Sequence, residues 1–329
     1  MKIAILDDYQ NVVPGLDCYK ILDGHEVKVF NNSARGVGQL AIRLAGFDAL
    51  VLIRERTAFP AALLNKLPNL KLISQTGKVS GHVDVAAASA RGIAIAEGVG
   101  SPIAPAELTW ALIMAASRKI LPYANNLKEG VWQTASVNPQ LNGLGRVLHG
   151  RTLGIWGYGK IGRMLAGYGK AFGMQVMVWG SEASRAAAVA DGYRLAASRA
   201  AFFAEADVLS LHLRLGPATR GIVTGEDLTR MKPDALFVNT SRAELVAEGA
   251  LEEALRRGCP GGAAVDVFTS EPLAPDAPLL KIPTVLATPH LGYVERDSYE
   301  IYFRAAFENI VNFAAGKPTN ILNPEALAT

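Results

Sequence analysis

Short apolar runs alternate along this chain with longer stretches in which apolar positions return every three or four residues. The first pattern predicts buried strands and the second amphipathic helices. In the first hundred residues the apolar runs fall at 2–6, 26–30, 49–53, 70–74 and 93–96, with helical patterns between them at 37–45 and 83–90. A second series of runs falls at 152–156, 175–179, 208–213, 235–239, 263–267 and 285–287. Strands that are apolar without alternation are covered on both faces. Strands separated by helices predict parallel sheets. Between the two series lies one long helical pattern, from about 105 to 127, with Leu108, Ala111, Leu112 and Ala115 among its apolar positions. Pro105 suits its first turn. The Gly- and Asn-rich stretch 138–150 predicts a linking loop, and a last helix is expected over 295–315.

At 329 residues, two domains are expected. Half of the residues are hydrophobic, which is enough for two cores. A net charge of +3, without a long block of Lys or Arg, makes nucleic acid an unexpected partner. Cys18 and Cys259 provide neither a disulfide framework nor a metal-ligand spacing, so no metal is expected. Asp7 and Asp8 follow the first apolar run too early for a signal peptide, and no apolar stretch is long enough to span a bilayer. These features predict a cytoplasmic protein that does not contact the membrane.

The run from Leu153 to Gly162 carries the strongest chemical signal. It is a buried strand ending in G-x-G-x-x-G (Gly157, Gly159, Gly162) and opening into a helix with Ile161, Leu165, Tyr168 and Phe172 on its apolar face. That context makes it a dinucleotide-binding fingerprint. Gly157 permits the turn, Gly159 lets the backbone approach a pyrophosphate, and Gly162 lets helix and strand pack closely. Lys160 and Ile161 open the helix, whose free N–H groups and positive dipole end favour phosphate.

Three later strands run directly into polar residues: Val238-Asn239-Thr240-Ser241-Arg242, Asp266-Val267-Phe268-Thr269-Ser270-Glu271-Pro272-Leu273 and Thr288-Pro289-His290-Leu291-Gly292. In an open α/β sheet, ligands bind at the carboxyl ends of strands, so these residues can converge. Their chemistry is complementary. Arginine's planar fork matches a carboxylate and steadies oxyanion charge. Histidine is the natural proton carrier near neutrality, and a glutamate beside it would hold the imidazole.

On these motifs the chain resembles the D-isomer-specific 2-hydroxyacid dehydrogenases. The matching segments are the glycine fingerprint, V-N-T-S-R at 238–242, D-V-F-x-x-E-P-L at 266–273 and T-P-H-x-G at 288–292. The helix around Glu107 and the Ser210-Leu211-His212-Leu213 strand end fit as well. The resemblance implies an α/β fold of two doubly wound parallel-sheet domains. A Rossmann cofactor domain of about 101–291 would be inserted into a flavodoxin-like substrate domain of about 1–100 plus 292–329. It implies hydride transfer between NAD(P)H and C2 of a small 2-oxo or D-2-hydroxy acid, in a cleft whose closure excludes water. Arg242 would be the substrate anchor, Glu271 the partner of the acid/base and His290 the acid/base itself. His212, Thr240, Asp266 and Gly292 would lie on the cofactor side. A homodimer through the 101–130 helix region is also implied.

Three departures from the family pattern stand out, the first being Ala243, then Glu244, where the family usually has glycine after the arginine. Where the substrate loop of the first domain normally reads glycine-valine-glycine, this chain has Thr76-Gly77-Lys78-Val79-Ser80-Gly81. The Lys78 and Val79 amides are expected to hold a carboxylate, with the Lys78 side chain adding charge, and Arg54 matches a family arginine that reaches the substrate's far end. Gly180 takes the place, 18 residues past Gly162, where an acidic residue usually holds the ribose of NAD. Without that carboxylate, Ser181, Ser184 and Arg185 can receive a 2′-phosphate, which favours NADP(H) over NAD(H); Glu182 argues for NAD(H). Two alternatives remain: a dinucleotide-sensing binding protein of the corepressor type on the same fold, and a phosphoglycerate-type dehydrogenase using Lys78 and Arg54 for the phosphate.

Overall fold

The computed structural model describes residues 1–34, 36–133 and 143–328. The chain divides into two compact units, Met1–Ser101 with Glu295–Thr329, and Pro102–Val294. Both are α/β units built on wholly parallel sheets.

In the smaller unit, β1 (Lys2–Ile5), β2 (Glu26–Val29), β3 (Ala49–Leu52), β4 (Leu72–Gln75) and β5 (Ala94–Ala96) form a sheet in the order β2-β1-β3-β4-β5. This is the flavodoxin-like order, with its switch point between β1 and β3. The helices α1 (Val37–Leu44), α2 (Ala61–Leu64) and α3 (Val85–Ser89) follow β2, β3 and β4. One face of the sheet packs Leu50, Leu52, Ile73 and Ile95 against Leu40, Leu44, Leu63 and Leu64.

The larger unit begins with α4 (Ile103–Ser117) and α5 (Ile120–Lys128). The long helix expected from 105 to 127 is therefore two. Lys119 between them adopts φ +52°. Pro122 is the reason: it has no N–H to donate to the carbonyl of residue 118, and its ring would collide with that carbonyl in a continuous helix. Of the expected loop at 138–150, residues 138–142 lie outside the described residues.

Next come β6 (Thr152–Trp156), α6 (Lys160–Ala171), β7 (Gln175–Trp179), α7 (Glu182–Ala190), β8 (Arg194–Leu195), α8 (Arg199–Glu205) and β9 (Val208–Leu211). They are followed by α9 (Gly225–Thr229), β10 (Leu236–Asn239), α10 (Ala250–Arg256), β11 (Gly262–Val265) and β12 (Val285–Ala287). The sheet order is β12-β11-β10-β9-β6-β7-β8, the Rossmann arrangement extended at one edge. Edge strand β8 was not expected; two residues carry no periodic pattern. Leu153 and Ile155 face one core with Val238 and Ala264, while Trp156 faces another with Leu209, Phe237 and Val265. Two covered faces explain why these strands read as continuous apolar runs. The long α11 (Arg296–Ala314) returns the chain to the smaller unit, where Ser74 on β4 donates to the Ala306 carbonyl.

Candidate active site

The sheet of the larger unit reverses its strand order between β6 and β9, and the glycine fingerprint sits at that point. Gly157 has φ +100°, and a Cβ there would stand 2.4 Å from the His212 carbonyl oxygen. A Cβ on Gly162 would stand 2.2 Å from the Gly157 carbonyl oxygen, so α6 meets the turn too closely for any side chain. Gly159 differs. A Cβ there would meet nothing within 4 Å, which leaves the loop's outer side open where a pyrophosphate needs to approach. Lys160, Ile161 and Gly162 form the first turn of the twelve-residue α6, whose leading N–H groups have no carbonyl within the helix to bond. The loop thus fits the dinucleotide that its sequence suggests.

His290 follows β12 by three residues and has φ +54°. Its Nδ1 lies 2.6 Å from Glu271 Oε2, and Glu271 Oε1 accepts the Phe268 amide at 2.9 Å. Burial opposes the charge on Glu271. The hydrogen bond and charge of His290, the Phe268 amide and the charge of Arg242 outweigh burial and hold its carboxyl below the ordinary range. Arg242 therefore stands close enough to act on Glu271. The turn that carries it is braced by Asn239, only 2% exposed, whose Nδ2 donates to the Arg242 carbonyl and whose Oδ1 accepts the Ser241 amide. Arg242 Nη1 donates to the Ser241 carbonyl at 2.6 Å. Tyr293 sets its ring edge-on to the His290 imidazole at 5.5 Å.

Asp266 is fully buried at the end of β11. Burial raises its carboxyl above the ordinary range, against the Thr288 hydroxyl, the Leu291 amide, the charge of His290 and the Gly292 amide. It binds three donor groups of the T-P-H-x-G segment, the Thr288 hydroxyl and the Leu291 and Gly292 amides, at 2.7 to 2.8 Å and so shapes the loop bearing His290. The Gly292 amide, expected on the cofactor side, is committed to Asp266. The Thr240 hydroxyl meets that of Thr109 on α4 at 2.7 Å. His212 pairs with the Ser210 hydroxyl at 2.8 Å, and burial pushes its imidazole down to about 4. Asn239, Tyr293, Thr109 and Thr288 were not singled out from sequence. Each acts through a neighbour in space, although Asn239 and Thr288 lie inside the recognised motifs.

Beyond β7, Gly180 has φ +156° and Ser181 caps α7 by accepting the Ser184 amide. The Arg185 guanidinium lies 5.3 Å from the Trp179 ring centre, stacked on the last residue of β7. No carboxylate occupies position 180 itself.

In the smaller unit, Gly77 lies directly under Arg54: a Cβ at Gly77 would stand 2.0 Å from Arg54 Nη1. Arg54 has φ +53°, its amide donates to Thr76 Oγ1, and its carbonyl accepts Gln75 Nε2. The Val79 amide and Lys78 side chain, expected to be offered to a substrate, are both committed to Glu97. The Val79 amide donates to Oε1 at 2.9 Å and Lys78 Nζ to Oε2 at 2.7 Å. Glu97 is distant in sequence, and the fold alone brings it to the loop.

Among the described residues, no cluster of His, Cys, Asp and Glu is placed to hold a metal ion, and no helix is long and apolar enough to cross a membrane. The sequence profile of the D-isomer specific 2-hydroxyacid dehydrogenase NAD-binding domain matches residues 110–292. A glyoxylate reductase of Aeropyrum pernix is 37% identical over 80% of this chain and 80% of its own length. A Vibrio cholerae O395 structure named a phosphoglycerate oxidoreductase is 60% identical, covers 96% of this chain and 99% of its own, and superposes with a TM-score of 0.92. A Ralstonia solanacearum protein, provisionally named a D-3-phosphoglycerate dehydrogenase oxidoreductase, is 56% identical over 100% of this chain and 98% of its own, with a TM-score of 0.97. The chain belongs to the D-isomer specific 2-hydroxyacid dehydrogenases, a family of oxidoreductases that work with a nicotinamide dinucleotide.

Proposed function

We propose that this protein reduces a small 2-oxo acid to the D-2-hydroxy acid, with His290 as acid/base. The observation that carries this reading is the His290–Glu271 contact of 2.6 Å, set at strand ends beside Arg242. The dinucleotide, when bound, supplies the hydride that reaches C2 of the substrate. The protein's residues do the rest. With Nδ1 held by Glu271, His290 presents Nε2 to the substrate oxygen and delivers the proton there. Arg242 grips the carboxylate and draws charge toward the carbonyl oxygen as it becomes an alkoxide. Glu271 fixes the imidazole's tautomer and steadies its charged form. Asp266 supports the loop beneath His290. Gly157, Gly159, Gly162, Lys160 and Ile161 would receive the pyrophosphate, with His212, Thr240 and Gly292 nearby on the same side.

The cofactor reading is NADP(H). Gly180 offers no carboxylate to repel a 2′-phosphate, and Ser181, Ser184 and Arg185 cluster at the start of α7. We also assign the protein to the cytoplasm as a homodimer through the 101–130 region, where Ile103, Ile120, Leu121 and Leu127 are exposed. Light scattering tests the dimer, with an expected mass twice the 34.9 kDa of the chain.

The names of the two structural relatives favour a phosphorylated substrate. The commitment of Lys78 to Glu97 supports an unphosphorylated one, because a phosphate needs surplus positive charge. The test is oxidation of NADH and NADPH against glyoxylate, hydroxypyruvate, pyruvate, 2-oxobutyrate, 2-oxoisocaproate and phenylpyruvate. Turnover on one, faster with NADPH, is the expected result. Tight dinucleotide binding with no turnover on any of the six overturns the small, unphosphorylated substrate in favour of a larger or phosphorylated oxo acid or of a dinucleotide sensor.

A further inference from the structure

We propose that Tyr158, Asp191 and Arg163 form a brace that holds the glycine loop in the shape that receives the dinucleotide's pyrophosphate. The inference rests on the reading of that loop as a dinucleotide site, not on the choice between NADP(H) and NAD(H). All three residues lie in the larger unit. Tyr158 is the middle residue of the turn, between Gly157 and Gly159, and so carries the side chain by which the turn can be gripped. It is only 4% exposed and shares a core with Val178 and Ala188. Its hydroxyl donates to Asp191 Oδ2 at 2.8 Å. Burial first, and then the Asp191 hydrogen bond, keep the phenol well above its ordinary range, so the hydroxyl stays a donor.

The same oxygen of Asp191 takes a second donor. Arg163, on the second turn of α6, bonds it through Nη1, and its guanidinium carbon lies 4.8 Å from the Tyr158 ring centre. The Tyr193 ring meets that of Tyr158 edge-on at 5.9 Å. The backbone of the turn is tied as well: the Gly157 amide donates to the Trp179 carbonyl, and the Gly159 carbonyl accepts the Arg163 amide, each at 2.9 Å. Gly157 is thus held by β7, Tyr158 by the end of α7 and Gly159 by α6. Asp191 is the residue that ends α7. A carboxylate at a helix C-terminus opposes the helix dipole, so the helix itself gives no reason for an acid there. The two donors sent across from the glycine segment do.

The consequence is preorganisation. A loop that must be ordered when its ligand arrives binds more weakly by the cost of that ordering. The brace meets the cost when the chain folds, and the loop amides already point where a pyrophosphate needs them. The Arg163–Asp191 pair is 48% and 39% exposed, and such pairs contribute little alone. The tyrosine hydroxyl on a charged acceptor is the stronger member. These are positioning residues. They act on dinucleotide affinity through the loop and leave the chemistry to His290, Glu271 and Arg242.

Isothermal titration with NADPH and NADH tests this in the wild type, Tyr158→Phe, Asp191→Ala and the double variant. Tyr158→Phe keeps the buried ring and loses only the hydroxyl contact. It should raise the dissociation constant of the tighter dinucleotide about fivefold, and Asp191→Ala about tenfold, with turnover at saturating dinucleotide within about twofold of wild type. The double variant should bind no more weakly than Asp191→Ala, because both changes break one contact. A ligand without a pyrophosphate separates the loop from the rest of the site: adenosine 2′-monophosphate where NADPH binds the tighter, adenosine where NADH does. Its affinity should stay within about twofold of wild type in Tyr158→Phe. An unchanged dinucleotide affinity in Tyr158→Phe overturns the proposal, and that variant keeps the test open if Asp191→Ala fails to fold. Equal losses for the dinucleotide and the adenosine ligand overturn it too, since a general loosening of the unit would produce them. A wild type that binds neither dinucleotide overturns the dinucleotide reading itself, and the brace with it.

Discussion

Charged residues stand at the carboxyl ends of parallel strands in both units, yet they are used differently. In the larger unit a carboxylate is spent on orientation: Glu271 holds the His290 ring, and Asp266 binds the Thr288 hydroxyl and the Leu291 and Gly292 amides. In the smaller unit two carboxylates oppose cations instead, Glu97 on Lys78 and Glu55 beside Arg54, while Asp8 after β1 accepts the Val12 and Val13 amides. The sheets share a construction, and both ends are polar. What separates a proton-transfer site from a neutral rim is whether the acid partner faces an imidazole or an ammonium. An imidazole changes its charge near neutral pH, whereas an ammonium or guanidinium only cancels its partner.

The sharpest way to break this contrast is His290→Ala. Turnover should fall by about 10² to 10⁴, the usual contribution of a positioned acid/base, with dinucleotide affinity retained. Stopped-flow kinetics with a fluorescence titration of NADPH would measure both, and an unchanged rate refutes the assignment. Next in size is Glu271→Gln. Loss of the charged partner should lower kcat by about 10², with a smaller effect on KM, because the imidazole is then less well aimed. Arg242→Lys should harm kcat/KM through both constants, since an ammonium cannot make the planar two-point contact. In the smaller unit Arg54→Met should raise KM by about threefold to tenfold and change kcat far less, as befits a cation set beside its own carboxylate. Equal losses at Arg54 and Arg242 would erase the distinction between the two units.

The last prediction concerns stability rather than rate. Burial holds His212 neutral, its ionisation lowered from the ordinary 6.5 to about 4. The unfolded chain therefore binds more protons than the folded one between those values. Stability should fall as pH drops from about 6.5 toward about 4 and then level off, by about 2 to 3 kcal/mol in all. In His212→Gln that part of the pH dependence should disappear from thermal melts at pH 7 and pH 5. A wild-type slope preserved in the variant would place the titrating group elsewhere.

Much of the fold was legible because the central strands, such as β3, β4, β6 and β9, are buried on both faces. Strands β6, β7 and β12 begin and end where the apolar runs predict, and the other expected strands differ by one or two residues at their ends. The helix between the two series was misjudged because Pro122 sits within its apolar periodicity, and the periodicity continues across the break at Lys119. Strand β8 was invisible at two residues. For the site, Arg242, Glu271 and His290 stood out because each follows an apolar strand inside a short motif. Glu97 and Tyr293 carried no such mark. A glutamate after a strand is ordinarily solvated, and only the pairing of β4 with β5 brings this one onto Lys78.

The sequence by itself determined the periodicities, the glycine turn and the identities of the polar residues at the strand ends, because burial on two faces, positive φ and side-chain chemistry are local properties. Tertiary structure alone decided which of those polar groups meet. The Glu271 hydrogen bond spans 19 residues, as does that of Lys78 with Glu97. Both depend on which strands lie side by side and in what register. Charge compensation acts through space over a few ångströms, and parallel sheets place strands side by side only after long crossovers, so no local pattern can announce it.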